Sequence, residues 1–317
     1  MANTGATNAE VEAAAPVEEA EPEFIELFSG AALGSSDAEV ITLRSRTHLV
    51  VFAGAEGSGK TTVLASLYER LNQGPFAGFR FAGSRSLLGF EEICHLNRLA
   101  SGGFQPDTQR TWLTDETKYY HLALRGTELS TARRDVLLAA MSGELFRMAK
   151  DSQEDAERLT FLRRADTVVV LVDGERLASA AQRTSAHADA ADILESMLDT
   201  GMVSARCHVE VVFSKLDRII SGGQSALEFL AKTQDKFEGR FRARVPHLTF
   251  RKIAARPAYS SMQENSDGSL AEAFVSWTTI VASASRDDHQ EAPAPSRDER
   301  EFSKFGWRYF ERTGRDP

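Results

Sequence analysis

His48-Leu49-Val50-Val51-Phe52-Ala53-Gly54-Ala55-Glu56-Gly57-Ser58-Gly59-Lys60-Thr61-Thr62 joins an apolar, strand-like run to a glycine-rich turn, and a helical run from Thr61 to Asn72 follows. The turn matches the phosphate-binding pattern G-x-x-x-x-G-K-[ST] in the strand-then-helix context that pattern requires. Glycines at 54, 57 and 59 let the backbone turn its N–H groups toward an anion, and the following helix points its positive end at the same place. Ser58 and Thr62 sit in the same cradle. In such a loop Lys60 is expected to reach the β- and γ-phosphates of a nucleotide, and the Thr61 hydroxyl to ligate Mg²⁺.

Working outward, the 317 residues suffice for one large core or two domains. Six glutamates (10, 12, 18, 19, 21 and 23) precede Phe24 with no Lys or Arg among them, so most of the net charge of −9 is local to that end. With no basic excess, nothing in the charge points to duplex nucleic acid as a direct partner. Cys94 and Cys207 lack metal or redox spacing and read as free thiols. No apolar run approaches the ~20 residues that span a bilayer, and the acidic N-terminus lacks the features of a signal peptide, so a cytoplasmic protein without membrane partners is expected.

The composition predicts an acidic disordered tail over residues 1–23, one globular unit over 24–283, a linker over 284–298 and an aromatic docking segment over 299–317. Within the unit, Glu39 to Leu43 is expected to be a strand ahead of the P-loop strand. An ordered insertion over about 74–107 holds a strand at Phe79–Ala82 and a helix at Leu87–Leu99. After a polar loop with Thr108, Arg110, Thr111 and Thr114, strands are expected at Lys118–Arg125, Asp135–Met141, Thr167–Asp173, Cys207–Phe213 and Leu248–Ala254. Helices are expected at His187–Leu198, Ala226–Phe241 and Leu270–Val281. The alternation predicts an α/β fold: a doubly wound, mostly parallel P-loop NTPase sheet with helices on both faces and ligand groups at the carboxyl ends of the strands.

In order and spacing, these loops resemble the TRAFAC-class GTPases, and most of all the bacterial double-GTPase type found in conflict systems. The likeness runs from the P-loop through Arg110-Thr111, Ser142-Gly143-Glu144, Ala165-Asp166 and Asp173-Gly174-Glu175-Arg176-Leu177 to Ser214-Lys215-Leu216-Asp217. It implies GTP or GDP as ligand with Mg²⁺, a switch or assembly role in a multi-protein defence system, and protein partners met through switch loops and terminal segments.

Residue by residue, the resemblance implies that Thr111 completes the Mg²⁺ shell, with Thr108 as the next choice, and that Arg110 stabilises charge on the transferred phosphoryl group. The family's D-x-x-G motif falls on Ala140-Met141-Ser142-Gly143. Gly143 can offer its N–H to a γ-phosphate, but the aspartate is replaced by Ala140, so slow hydrolysis is expected. Glu144 stands where some relatives place a water-positioning glutamine, and both it and Glu56 would be repelled by a triphosphate unless a cation intervenes. Asp173 is the candidate to replace the missing metal carboxylate; the alternative is an aspartate that caps the next turn.

Ser214-Lys215-Leu216-Asp217 is similar to N-K-x-D, in which the aspartate accepts from guanine N1–H and N2–H₂ and the lysine packs over the ring. Adenine lacks both donors. Ala254-Ala255 matches the loop whose backbone touches the guanine oxygen. Two other outcomes stay open on the sequence: a hydrolysis-deficient scaffold, and a P-loop ATPase or small-molecule kinase, which Asp217 disfavours.

Overall fold

The computed structural model describes residues 29–95, 117–128, 133–142, 144–145, 148, 159, 163–201, 203–204, 207–257 and 263–278. The expected acidic tail, linker and aromatic segment lie outside these residues, as do Thr108, Arg110, Thr111, Thr114 and Gly143.

Among them the chain forms helix α1 (Ser35–Arg44), strand β1 (Thr47–Gly54), α2 (Lys60–Gln73), β2 (Phe79–Gly83), α3 (Leu87–His95), β3 (Tyr119–Gly126) and β4 (Arg134–Ser142). β5 (Thr167–Val172), α4 (Gly174–Ala178), α5 (Arg183–Asp199), β6 (His208–Phe213), α6 (Leu216–Ser221), α7 (Gly223–Phe241), β7 (Leu248–Lys252) and α8 (Gln263–Thr278) follow. The strands make one seven-stranded sheet in the order β2-β3-β4-β1-β5-β6-β7. β4, β1, β5, β6 and β7 run parallel, whereas β3 is antiparallel to β4 and β2 to β3.

β1 is buried along its whole length, as a continuous apolar run in the middle of a parallel sheet requires. Its alternate residues feed two cores. Leu49, Val51 and Ala53 pack with α1, α5 and α7 on one face; Val50 and Phe52 pack with α2, α3 and α8 on the other. Phe52 meets the Trp277 ring edge-to-face at 5.1 Å, pinning α8 to the central strand.

One expected strand is corrected: Glu39 to Leu43 belongs to α1. Its β-branched pair Val40-Ile41 mimics a strand locally, but Ala38 and Ile41 are buried three residues apart, and Asp37 and Arg44 suit the two ends of a helix dipole. Residues 96–107 of the expected insertion lie outside the described residues; its described part holds β2 and α3 where a strand and a helix are expected. It is held to the sheet by His121 on β3, whose Nδ1 accepts from the Arg85 N–H and whose Nε2–H donates to Asp135 on β4.

A second buried charge lies in β6. Glu210 is fully buried, and its carboxylate accepts from Arg251 on β7 at 2.9 Å and from the Trp277 indole N–H on α8. Thr167 adds a bond from its hydroxyl to the Trp277 carbonyl at 3.4 Å. This polar cluster ties α8 to three strands.

Candidate nucleotide-binding site

The site lies where β1, β5 and β6, neighbours in the sheet, deliver three loops from their carboxyl ends. The first is the P-loop. Gly57 (φ 74°) and Gly59 (φ 95°) both adopt the left-handed region, which a side chain there would resist. Gly54 is required for another reason: a Cβ on it would stand 2.6 Å from Ser58 Oγ and 3.1 Å from the Leu171 carbonyl oxygen.

Lys60 opens α2 and folds back over the loop, its ammonium donating to the carbonyls of Gly54 at 2.8 Å and Ala55 at 2.9 Å. It is buried, and this desolvation pushes its pKa down to about 8 against the opposing pull of Glu56. Glu56 itself is exposed. The Ser58 hydroxyl is buried with no hydrogen-bond partner among the described residues. A buried ammonium, an orphan hydroxyl and left-handed glycines at the head of a helix fit a bound phosphate chain. Thr61 and Thr62 are half-buried in the first turn of α2.

The third loop, Ser214 to Asp217, runs directly beside the first. The Ser214 side chain lies 3.9 Å from where a Cβ on Gly59 would be. Its N–H and hydroxyl both donate to the Val172 carbonyl at 3.1 Å. Lys215 takes a left-handed conformation (φ 49°) and precedes α6, in whose first turn Asp217 is buried to 4 % exposure. The Leu216 N–H donates to the Ile253 carbonyl at 3.0 Å, which draws buried Ala254 to the same edge.

The loop between them starts at Asp173, 5 % exposed. Its carboxylate caps α4 by accepting from the N–H groups of Glu175 at 2.9 Å and Arg176 at 3.4 Å. The Lys215 ammonium reaches the same carboxylate at 3.1 Å and Glu175 at 3.0 Å, holding the Glu175 carboxyl below its usual range. Glu144 is exposed beyond the end of β4. Asp166 lies at the far end of β5, where it accepts from the Leu49 N–H at 2.8 Å. Gly174 and Glu175, which the sequence marked only as part of the resembling stretch after β5, meet the Ser214–Asp217 loop in the structure. Among the described residues, no group of three or more His, Cys, Asp or Glu side chains could hold a metal by itself.

A P-loop on the central strand, an antiparallel strand beside the next one and a lysine–aspartate loop two strands away define a P-loop protein of GTPase-like architecture. The model of the Double-GTPase 2 family matches residues 48–278, and the chain belongs to that family. No curated protein matches the sequence. Among solved structures, the Saccharomyces cerevisiae Ski7 GTPase-like domain bound to GDP and inorganic phosphate is similar at 13% identity and a TM-score of 0.39, over 69% of this chain and 45% of that one. A GTP-binding protein from Sulfolobus solfataricus in complex with GDP matches at 12% identity and a TM-score of 0.36, over 75% and 56%. The Chaetomium thermophilum signal recognition particle receptor SRb-GTP/SRX complex matches at 16% identity and a TM-score of 0.36, over 71% and 97%. This chain spans about half the length of the first two. No described helix is long and apolar enough to cross a membrane.

Proposed function

We infer that this protein binds GTP and GDP with Mg²⁺ and works as a switch or assembly component, with slow hydrolysis. What carries the conclusion is the seating of buried Asp217 on a loop packed against the P-loop, so that a nucleotide gripped by Lys60 presents its base to a carboxylate. Guanine offers that carboxylate two donors, and adenine offers neither. Lys60 and the Ser58–Thr62 backbone would hold the phosphates, and Thr61, with Thr111 from the polar loop, would hold Mg²⁺. Gly143, Arg110 and Glu144 are the residues expected at the γ-phosphate. Partners would be met through the switch loops and terminal segments, in keeping with a conflict-system assembly in the cytoplasm.

Slow or absent hydrolysis is favoured by one feature. β4 ends in Ala139-Ala140-Met141-Ser142, with Ser142 paired to Gly54, so this strand brings no carboxylate to the metal side of the P-loop.

Calorimetric titration with non-hydrolysable GTP and ATP analogues, with and without Mg²⁺, tests the proposal. Binding of the GTP analogue alone, abolished in Lys60→Ala, supports it; equal binding of both analogues removes the role of Asp217. Phosphate release that depends on Lys60 separates a slow enzyme from a scaffold.

A further inference from the structure

The geometry points to Asp173 as a positioning residue: by clamping Lys215, it sets the Ser214–Asp217 loop against the P-loop, and this is a role distinct from metal binding. The inference rests on the nucleotide reading above and deepens it. Because β5 lies between β1 and β6, the turn after β5 has the P-loop on one side and the base loop on the other. It touches both. Asp173 Oδ2 stands 3.8 Å from where a Cβ on Gly57 would be. On the opposite side, Gly174 packs so tightly that a Cβ there would come 2.0 Å from the Ser214 carbonyl oxygen.

The clamp answers a local need. Lys215 is one of two non-glycine residues among those described with positive φ, a conformation in which Cβ crowds the backbone and which something must hold. Its ammonium is held by two carboxylates, Asp173 at 3.1 Å and Glu175 at 3.0 Å. Asp173 is rigid because its Oδ1 also caps α4. The lone pairs of that carboxylate are therefore directed to two backbone N–H groups and an ammonium. A divalent cation at Asp173 would have to displace Lys215 and would free the loop that carries Asp217.

A double-mutant cycle of Asp173→Asn and Lys215→Met tests the clamp. Asparagine retains an oxygen to cap α4 but loses the ion pair, and methionine keeps most of the lysine stem without its charge. In thermal unfolding of the nucleotide-free protein, each single variant is expected to lower the midpoint, and the double variant to fall no further than the worse single. Additive losses would overturn the clamp.

GDP and ADP titrations of the wild type and Asp173→Asn, each with and without Mg²⁺, test its role. The variant is expected to bind GDP about tenfold more weakly and to lose part of its preference for GDP over ADP, with the effect of Mg²⁺ as large as in the wild type. An unchanged GDP preference would overturn the positioning role. Loss of the Mg²⁺ effect would assign Asp173 to the metal instead, and overturn it too. A wild type that binds no guanine nucleotide would overturn the nucleotide reading itself, an outcome distinct from wild-type binding with a variant that binds equally well.

Discussion

Lys60 places its ammonium 2.8 Å from the carbonyl oxygen of Gly54, the residue with which the P-loop begins. Lysine and loop are thus closed on each other before any phosphate is considered. Burial lowers the Lys60 pKa to about 8, so a bound phosphate chain would restore the charge that the loop alone supports poorly. Nucleotide affinity is expected to be level below pH 7 and to fall as the pH rises through about 8, because only the protonated lysine serves the phosphates. Titrations between pH 6.5 and 9 check this, and a flat profile would contradict it.

The same group has a stability consequence of opposite sense. An unfolded lysine keeps its proton to about 10.5, whereas the folded one releases it near 8. Between these values the unfolded chain binds more protons, so the Lys60 contribution to folding stability rises with pH. Urea unfolding of the nucleotide-free protein, referenced to Lys60→Met, should show this slope in the wild type alone.

Gly174→Ala is expected to destabilise the fold by about 2 kcal/mol, since its new methyl group would collide with the Ser214 backbone oxygen, which cannot rotate away as the nearby Ile219 side chain could. Chemical denaturation measures the loss. If the variant is as stable as the wild type, the close packing of the two loops is wrong.

Removing the Glu210 carboxylate should be costly. Burial raises its carboxyl pKa, Arg251 acts in the opposite direction, and Trp277 also depends on it. Glu210→Ala leaves a partly buried guanidinium and an indole N–H without that acceptor, at a cost of about 3 kcal/mol. Glu210→Gln keeps an acceptor for Trp277 and should cost less, as read from the two unfolding midpoints.

Ser58→Ala is expected to leave the nucleotide-free protein as stable as the wild type, within about 0.5 kcal/mol, because the hydroxyl forms no hydrogen bond in the described structure. A clear loss of stability would reveal a partner for that hydroxyl.

Much of the sheet was legible in the chain because buried parallel strands write themselves as unbroken apolar runs, as at Thr167 to Val172. α1 was not, since its helical face rests on Ala38 and Ile41, and only the sheet beneath them gives that face meaning. The short helices α4 and α6 escaped notice because five or six residues carry no readable period. Nothing local relates Glu210 to Arg251 or Trp277; the neighbouring β7 and the packed α8 bring them to it.

The P-loop, the lysine–aspartate loop and the alternation of strands and helices were determined by the sequence itself, because each rests on residues close together in the chain, and the P-loop also on the backbone freedom of Gly57 and Gly59. The tertiary structure decided which loops meet. Asp173 and Lys215 are 42 positions apart, and nothing local relates a turn-capping aspartate to a lysine in a later loop. They become partners because β5 and β6 lie side by side in register, so that the sheet brings a carboxylate and an ammonium from consecutive strand ends within hydrogen-bonding distance.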